Sequence, residues 1–101
     1  MWAGSFGSVI RDLRPDDLAR VLEINQANVP EVGSVDADRL AWIVGMSPIA
    51  LVAESDLGHG SDVAGFCLVL GDDADYDSVN YSWFVERFDD FMYLDRVAID
   101  A

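Results

Sequence analysis

Few side chains in this sequence are of the types that do chemistry, and most stand in settings that mute them. Cys67 is the single cysteine. It lies within Phe66-Cys67-Leu68-Val69-Leu70, an apolar run that predicts a packed structural thiol rather than a nucleophile, because reactive thiolates need nearby positive charge. His59 is the single histidine and sits between two glycines in the polar turn Ser55-Asp56-Leu57-Gly58-His59-Gly60-Ser61. A turn tip of this kind faces water, and one histidine excludes a histidine-rich metal centre. Asp73-Ala74-Asp75-Tyr76-Asp77 opens like a calcium loop, D-x-D-x-D. The pattern then fails, with Ser78 where glycine is required and Phe84 where glutamate is required. No metal is expected, and the three acids read as a solvated loop or a lure for a cation. Tyr81, Trp83 and Phe84 could line a wall for a cationic group through cation–π attraction. Tyr81 and Phe84 equally fit a core-facing helical stripe, whereas Trp83 falls off it.

Charge narrows the choice of partner. The formal net charge is -13, and the six basic residues are all arginines. Such a surface repels nucleic acid and anionic membrane, so neither is an expected partner. It favours small cationic molecules such as amines, and it also serves solubility. Hydrophobic residues make up 51% of the chain, enough to fold rather than stay disordered. At 101 residues the chain is one domain or part of one, with a single modest core. A lone cysteine forms no internal disulfide, which fits a reducing, cytoplasmic setting. No apolar run approaches the ~18 residues of a membrane span. Met1 to Gly7 lacks the features of a signal peptide and reads as a flexible arm.

The elements that must position these residues follow from periodicity. Ser8-Val9-Ile10-Arg11-Asp12-Leu13 is a short, partly alternating strand. Arg14-Pro15-Asp16-Asp17 opens a helix, with proline suited to its first position and the acids to its positive end. Leu18, Val21, Leu22 and Asn25 continue it at helical spacing to about Asn28, and Pro30 lies beyond its end. Ser34 or Asp36 caps a second helix whose apolar face is Leu40, Ile43 and Val44. Gly45 and Ser47-Pro48 close it. Ile49-Ala50-Leu51-Val52-Ala53 reads as a buried strand ending at Glu54. Val63 to Leu70 is a third strand, and the turn between them predicts an antiparallel hairpin. Tyr81, Phe84, Val85 and Phe88 predict a short helix, and Phe91 to Asp100 a closing strand. If that strand is regular, Tyr93, Asp95, Val97 and Ile99 share one face.

This order, β-α-α-β-β-(short helix)-β, together with its local sequences, resembles the N-terminal half of the GNAT superfamily of N-acetyltransferases. Ile10-Arg11-Asp12-Leu13-Arg14-Pro15-Asp16-Asp17-Leu18 is similar to the family's opening strand and the start of its first helix. Glu23-Ile24-Asn25 is similar to an "xIN" in that helix. Ala50-Leu51-Val52-Ala53-Glu54 and Val63-Ala64-Gly65-Phe66 are similar to the second and third strands. Leu94-Asp95-Arg96-Val97-Ala98-Ile99-Asp100 is similar to the fourth, typically "[IL]xxLAVD". Asn80-Tyr81-Ser82-Trp83-Phe84, with Arg87-Phe88 and Tyr93-Leu94-Asp95-Arg96, resembles one bacterial subgroup. The similarity covers about residues 8–101.

The resemblance implies an α/β (α+β) fold with a mixed, mainly antiparallel sheet. It implies acetyl transfer from acetyl-CoA to a small-molecule or peptide amine. Val97, Ala98 and Ile99 are then the positions that bind the pantetheine arm and receive the acetyl carbonyl. Transfer needs a base to remove a proton from the amine, often through water. Asp95 is the candidate base, with Tyr93 as a polar positioner and Glu54 a weaker candidate base; the competing reading pairs Asp95 with Arg96 or Arg87, or leaves it facing solvent. Trp83, Tyr81, Phe84 and Glu54 are the candidate acceptor-binding residues. The family's Arg/Gln-x-x-Gly-x-Gly/Ala loop, whose backbone N–H groups hold the diphosphate, is expected just after Asp100 and is not in this chain. The chain is therefore expected to be an incomplete, truncated acetyltransferase domain, inactive alone. The alternative is a non-catalytic acyltransferase-like module that associates with another chain, or with itself, through its exposed last strand.

Overall fold

The first turn after strand β1 (Ser8–Asp12) shows how local sequence sets this architecture. Pro15–Asp17 forms a 3-10 turn, and the Asp17 carboxylate accepts from the Arg14 backbone N–H at 2.7 Å. The same carboxylate takes both terminal nitrogens of Arg11, at 2.8 and 2.9 Å. Arg11 also donates through Nε to Glu54 at 2.8 Å. One guanidinium thus ties β1, the start of the first helix and the end of the second strand.

The computed structural model describes residues 8–55 and 62–100. The expected arm, Met1 to Gly7, and the turn bearing His59 lie outside the described residues. After β1 come α1 (Leu18–Ala27), α2 (Ala37–Met46), β2 (Ile49–Ser55), β3 (Asp62–Gly71), α3 (Val79–Arg87) and β4 (Met92–Ile99). The four strands form one antiparallel sheet in the order β1-β2-β3-β4. The chain is therefore a mixed α/β fold of the order read from the sequence, with an open sheet whose edges are β1 and β4. Among the described residues no helix is long and apolar enough to cross a membrane.

The second and third helices each begin where a side chain accepts from a first-turn N–H. Asp36 caps α2 by accepting from Arg39 N at 2.8 Å, and Ser78 caps α3 by accepting from Tyr81 N. The buried faces of α1 (Val21, Ile24, Asn25) and α2 (Leu40, Ile43) pack over one face of the sheet. That face contributes Val52, Phe66, Leu68, Leu70 and Ala98. The arrangement is two layers around one core. Tyr81 closes the core at the top of β3: its hydroxyl donates to the Gly71 carbonyl and accepts from Ala74 N at 3.0 Å.

Arg11 holds the Asp17 carboxyl below its ordinary value near 3.8. A depressed carboxylate contributes stability that is full above its unfolded pKa, about 4, and lost as pH falls through the folded value. Asp17→Asn should therefore cost about 2 kcal/mol at neutral pH. The difference from wild type should narrow as pH falls below about 4 and close only below the depressed folded value. Urea unfolding at pH 7, 5 and 3 checks this, and a gap as wide at pH 3 as at pH 5 would contradict it.

Candidate functional site

The candidate site is built on β4, and its geometry depends on one extra residue. Cys67 faces Val97, Leu68 faces Arg96, and Val69 faces Leu94. Asp95 has no partner in this register, so it is the inserted residue of a β-bulge. The bulge resets the alternation of side chains. Tyr93 lies on the helix face, with its ring 5.5 Å from that of Tyr81. Val97 and Ile99 lie on the opposite face, 51% and 68% exposed. The expectation that Tyr93, Asp95, Val97 and Ile99 share one face is thus overturned, because the strand is not regular at Asp95.

Asp95 and Arg96 are adjacent yet both buried, with side chains 5% and 8% exposed. Arg96 Nε donates to Asp95 at 2.9 Å. Its Nη1 donates to Asn25 Oδ1 at 2.8 Å and to the Gly33 carbonyl at 2.9 Å. Asn25 is fully buried and donates in turn to Gly33 O and to Gln26 Oε1. Gln26 Oε1 accepts from Val35 N. The loop between α1 and α2 is therefore fastened to β4 through a connected polar network with every member satisfied. The Tyr76 ring packs between Trp42 and Tyr81. Burial first, and then the Asp95 carboxylate, push the Tyr76 phenol's pKa up. The Asp95 carboxylate is enclosed by these neighbours and held by Arg96.

The backbone of β4 turns its polar groups outward at chosen positions. Asp100 N donates to Ala64 O on β3 at 2.7 Å. Antiparallel alternation then directs the N–H and C=O groups of Val97 and Ile99 to the outer edge and those of Ala98 to β3. Asn28 Nδ2 reaches Ile99 O at that edge, at 3.3 Å. Of the three positions carried over for the cofactor, Val97 and Ile99 have exposed side chains, and the Ile99 carbonyl is taken by Asn28. Ala98 is turned inward, 6% exposed. Gly65 lets β4 lie close to β3, since a Cβ there would stand 3.0 Å from Ala98 O and 3.4 Å from Ile99 Cγ1.

Of the four residues expected to hold an acceptor, Trp83 and Phe84 are in ring contact, with centroids 5.0 Å apart, but the four do not form one site. Tyr81 is a core residue, 1% exposed. Phe84 is half-buried, stacked between Phe88 and Phe91 and packed edge-on to Tyr93. Trp83 is exposed, but the Arg87 guanidinium covers its ring at 4.2 Å, so the chain's own cation takes the cation–π position. Glu54 pairs with Arg11 at the far end of β2. Cys67 is only partly buried, on the open face of the sheet, and desolvation raises its pKa, which keeps it a thiol. In the acidic loop, Asp77 pairs with Arg39 at 2.6 Å, and Arg39 also lies over Trp42 and Tyr76. Among the described residues no three acid, cysteine or histidine side chains converge as a metal would require.

The network makes Asp95 dependent on Arg96. Arg96→Met leaves the Asp95 carboxylate and Asn25 Oδ1 buried without their donor, and should cost on the order of 3–5 kcal/mol. Adding Asp95→Asn removes the stranded charge and should recover about 1–2 kcal/mol. Urea unfolding of both variants measures this. A double variant no more stable than Arg96→Met would show that Asp95 is not held by the pair.

Compared with protein-family models, with curated proteins and with solved structures, the chain has no match.

Proposed function

We propose that this chain is the N-terminal portion of a GNAT-type N-acetyltransferase domain, whose β4 edge binds the pantetheine arm of acetyl-CoA beside an amine acceptor. The observation that carries the reading is the edge position of β4, with the outward polar groups of Val97 and Ile99 following directly on the bulge at Asp95. Pantetheine carries amide groups spaced along a flexible chain, and it can pair with an open strand edge as another strand would. The element order and the antiparallel sheet support the same reading. So does the segment after α1, whose Asn28 contacts Ile99 O and whose Gly33 carbonyl accepts from Arg96; in this reading it would meet an acceptor beside β4.

In this reading the strand positions the thioester rather than moving the proton. The acetyl carbonyl would take the outward N–H of Val97 or Ile99, which stabilises the oxyanion formed when the amine attacks. Proton removal from the amine falls to water, because the Asp95 carboxylate is engaged by Arg96. The sequence contains no Arg/Gln-x-x-Gly-x-Gly/Ala run, so this chain supplies the arm-binding strand without the usual diphosphate anchor. Affinity for acetyl-CoA is correspondingly low, and the isolated chain does not turn over.

Titrating the isotope-labelled chain with acetyl-CoA, and separately with pantetheine, tests the reading by amide chemical shifts. The Val97 and Ile99 amides should move with both ligands, with an affinity weaker than about micromolar. No movement at β4 up to roughly 10 mM ligand would overturn the proposal. Binding of acetyl-CoA tighter than about micromolar, with pantetheine inert, would place a phosphate anchor within this chain and also contradict it.

A further inference from the structure

Arg39 lies in a corner built by three other side chains. Trp42, one turn further along α2, and Tyr76, in the loop between β3 and α3, set their ring centroids 5.9 Å apart with the planes inclined at 52°. The Arg39 guanidinium carbon stands 5.1 Å from the Trp42 centroid and 5.7 Å from that of Tyr76. Asp77 closes the corner, accepting from Arg39 Nη2 at 2.6 Å and from Nη1 at 3.3 Å. Two ring faces and a carboxylate met by both prongs of the fork suit a planar guanidinium better than a point charge. The Arg87–Trp83 contact differs: it offers one ring and a backbone carbonyl of the same helix.

We propose that Trp42, Tyr76 and Asp77 form a binding site for a guanidinium group from outside the chain, with Arg39 as its internal stand-in. The space the guest takes is the space the Arg39 guanidinium fills, so its shape and partners are already fixed. Arg39 is held loosely there. Its side chain is 38% exposed and that of Asp77 66%, and an ion pair so open to water contributes little. Arg39 belongs to the first turn of α2, where Asp36 holds its backbone N–H, so the side chain can swing into water without disturbing the helix. Tyr76 stays in place when it does, because the ring is buried between Trp42 and Tyr81. The vacated corner is therefore preorganised.

Charge draws the guest in. Asp36 and Asp38 lie close before Arg39 in sequence, Asp75 and Asp77 flank Tyr76, and all four acids are exposed. One cation thus stands among four carboxylates on a chain of net charge -13. A second cation is attracted even while Arg39 is in place, and more strongly once it has left. The acids alone attract any cation; the rings and the forked contact at Asp77 select a guanidinium. The guest group can belong to a small guanidino compound or to an arginine within a polypeptide. The site uses neither the β4 edge nor acetyl transfer, and it does not rest on that reading.

Titration of the isotope-labelled full chain with N-acetylarginine amide at low salt, followed by nuclear magnetic resonance, tests it. The Trp42 indole N–H and the Asp77 amide should shift saturably. Arg39→Ala removes the internal competitor and should bind about tenfold tighter than wild type; Arg39→Gln serves as a second such variant. Adding Trp42→Leu to Arg39→Ala keeps apolar bulk but removes the ring, and should weaken binding about fivefold with the circular dichroism spectrum unchanged. N-acetyllysine amide has the same charge without the fork, and should bind Arg39→Ala about fivefold more weakly than the arginine compound. Methylguanidinium separates the two sources: equal affinity assigns the site to small guanidino compounds, and tighter binding of N-acetylarginine amide assigns it to arginine in a polypeptide. No saturable shift in either Arg39 variant up to about 50 mM ligand would overturn the proposal. So would Arg39 variants that bind no tighter than wild type, or equal binding of the lysine compound, which is what bare attraction to an acidic surface gives.

Discussion

The Arg96 guanidinium is the constraint on which the useful part of this structure depends. It sits 8% exposed and donates to three acceptors on three segments: Asp95 on its own strand, Asn25 on α1 and Gly33 in the loop beyond. Burying a cation is costly unless its donors are met, and here they are met by groups that only the folded chain assembles. The planar fork of arginine suits this task, since a lysine offers one point charge and could not span the same acceptors. The cost of desolvation thereby becomes positional specificity, because a misplaced β4 would strand several buried polar groups at once.

The bulge gives that network its geometric effect. A regular strand would send Asp95 and Arg96 to opposite faces. The inserted residue lets adjacent side chains be buried together and form an ion pair one residue apart. It also decides which residues reach the open side of the sheet. Beyond it, Val97 and Ile99 project away from the helices while Ala98 projects into the core. The exposure of Val97 and Ile99 and the burial of Ala98 thus have one origin, the reset of alternation at Asp95.

The parts of the fold that depend on local sequence were legible in it. Helical spacing placed Val21 and Asn25 on the buried face of α1 and Leu40 and Ile43 on that of α2. Asp36 was one of two caps the sequence offered, with Ser34, and it is the one used; β2 and β3 were legible as a hairpin. The bulge was not, because no glycine or proline marks it and its cause is a partner far along the chain. Tyr76 read as part of an acidic loop, yet it is buried against Trp42 and Tyr81. The apolar run of β2 read as buried. It is covered on one face only, and composition cannot tell a strand packed on both sides from one with an open apolar side. The Trp83–Arg87 contact carried a signal, the i,i+4 spacing on a helix, which the aromatic reading of Trp83 passed over.

These points bear on what Asp95 can do. Its place on the fourth strand resembles that of a base in an acyl-transfer domain, but resemblance of position does not fix chemistry. A general base must lie within hydrogen-bond reach of the proton it takes, directly or through one water. Asp95 is enclosed by Tyr76, already accepts from Arg96, and holds the conformation that turns Val97 and Ile99 outward. Opening it to an amine would break the contact that shapes the strand. Clamp and base are therefore competing uses of one carboxylate, and the geometry favours the clamp. In the proposed reading the strand's contribution is its outward backbone groups, which would stabilise developing charge without needing to titrate.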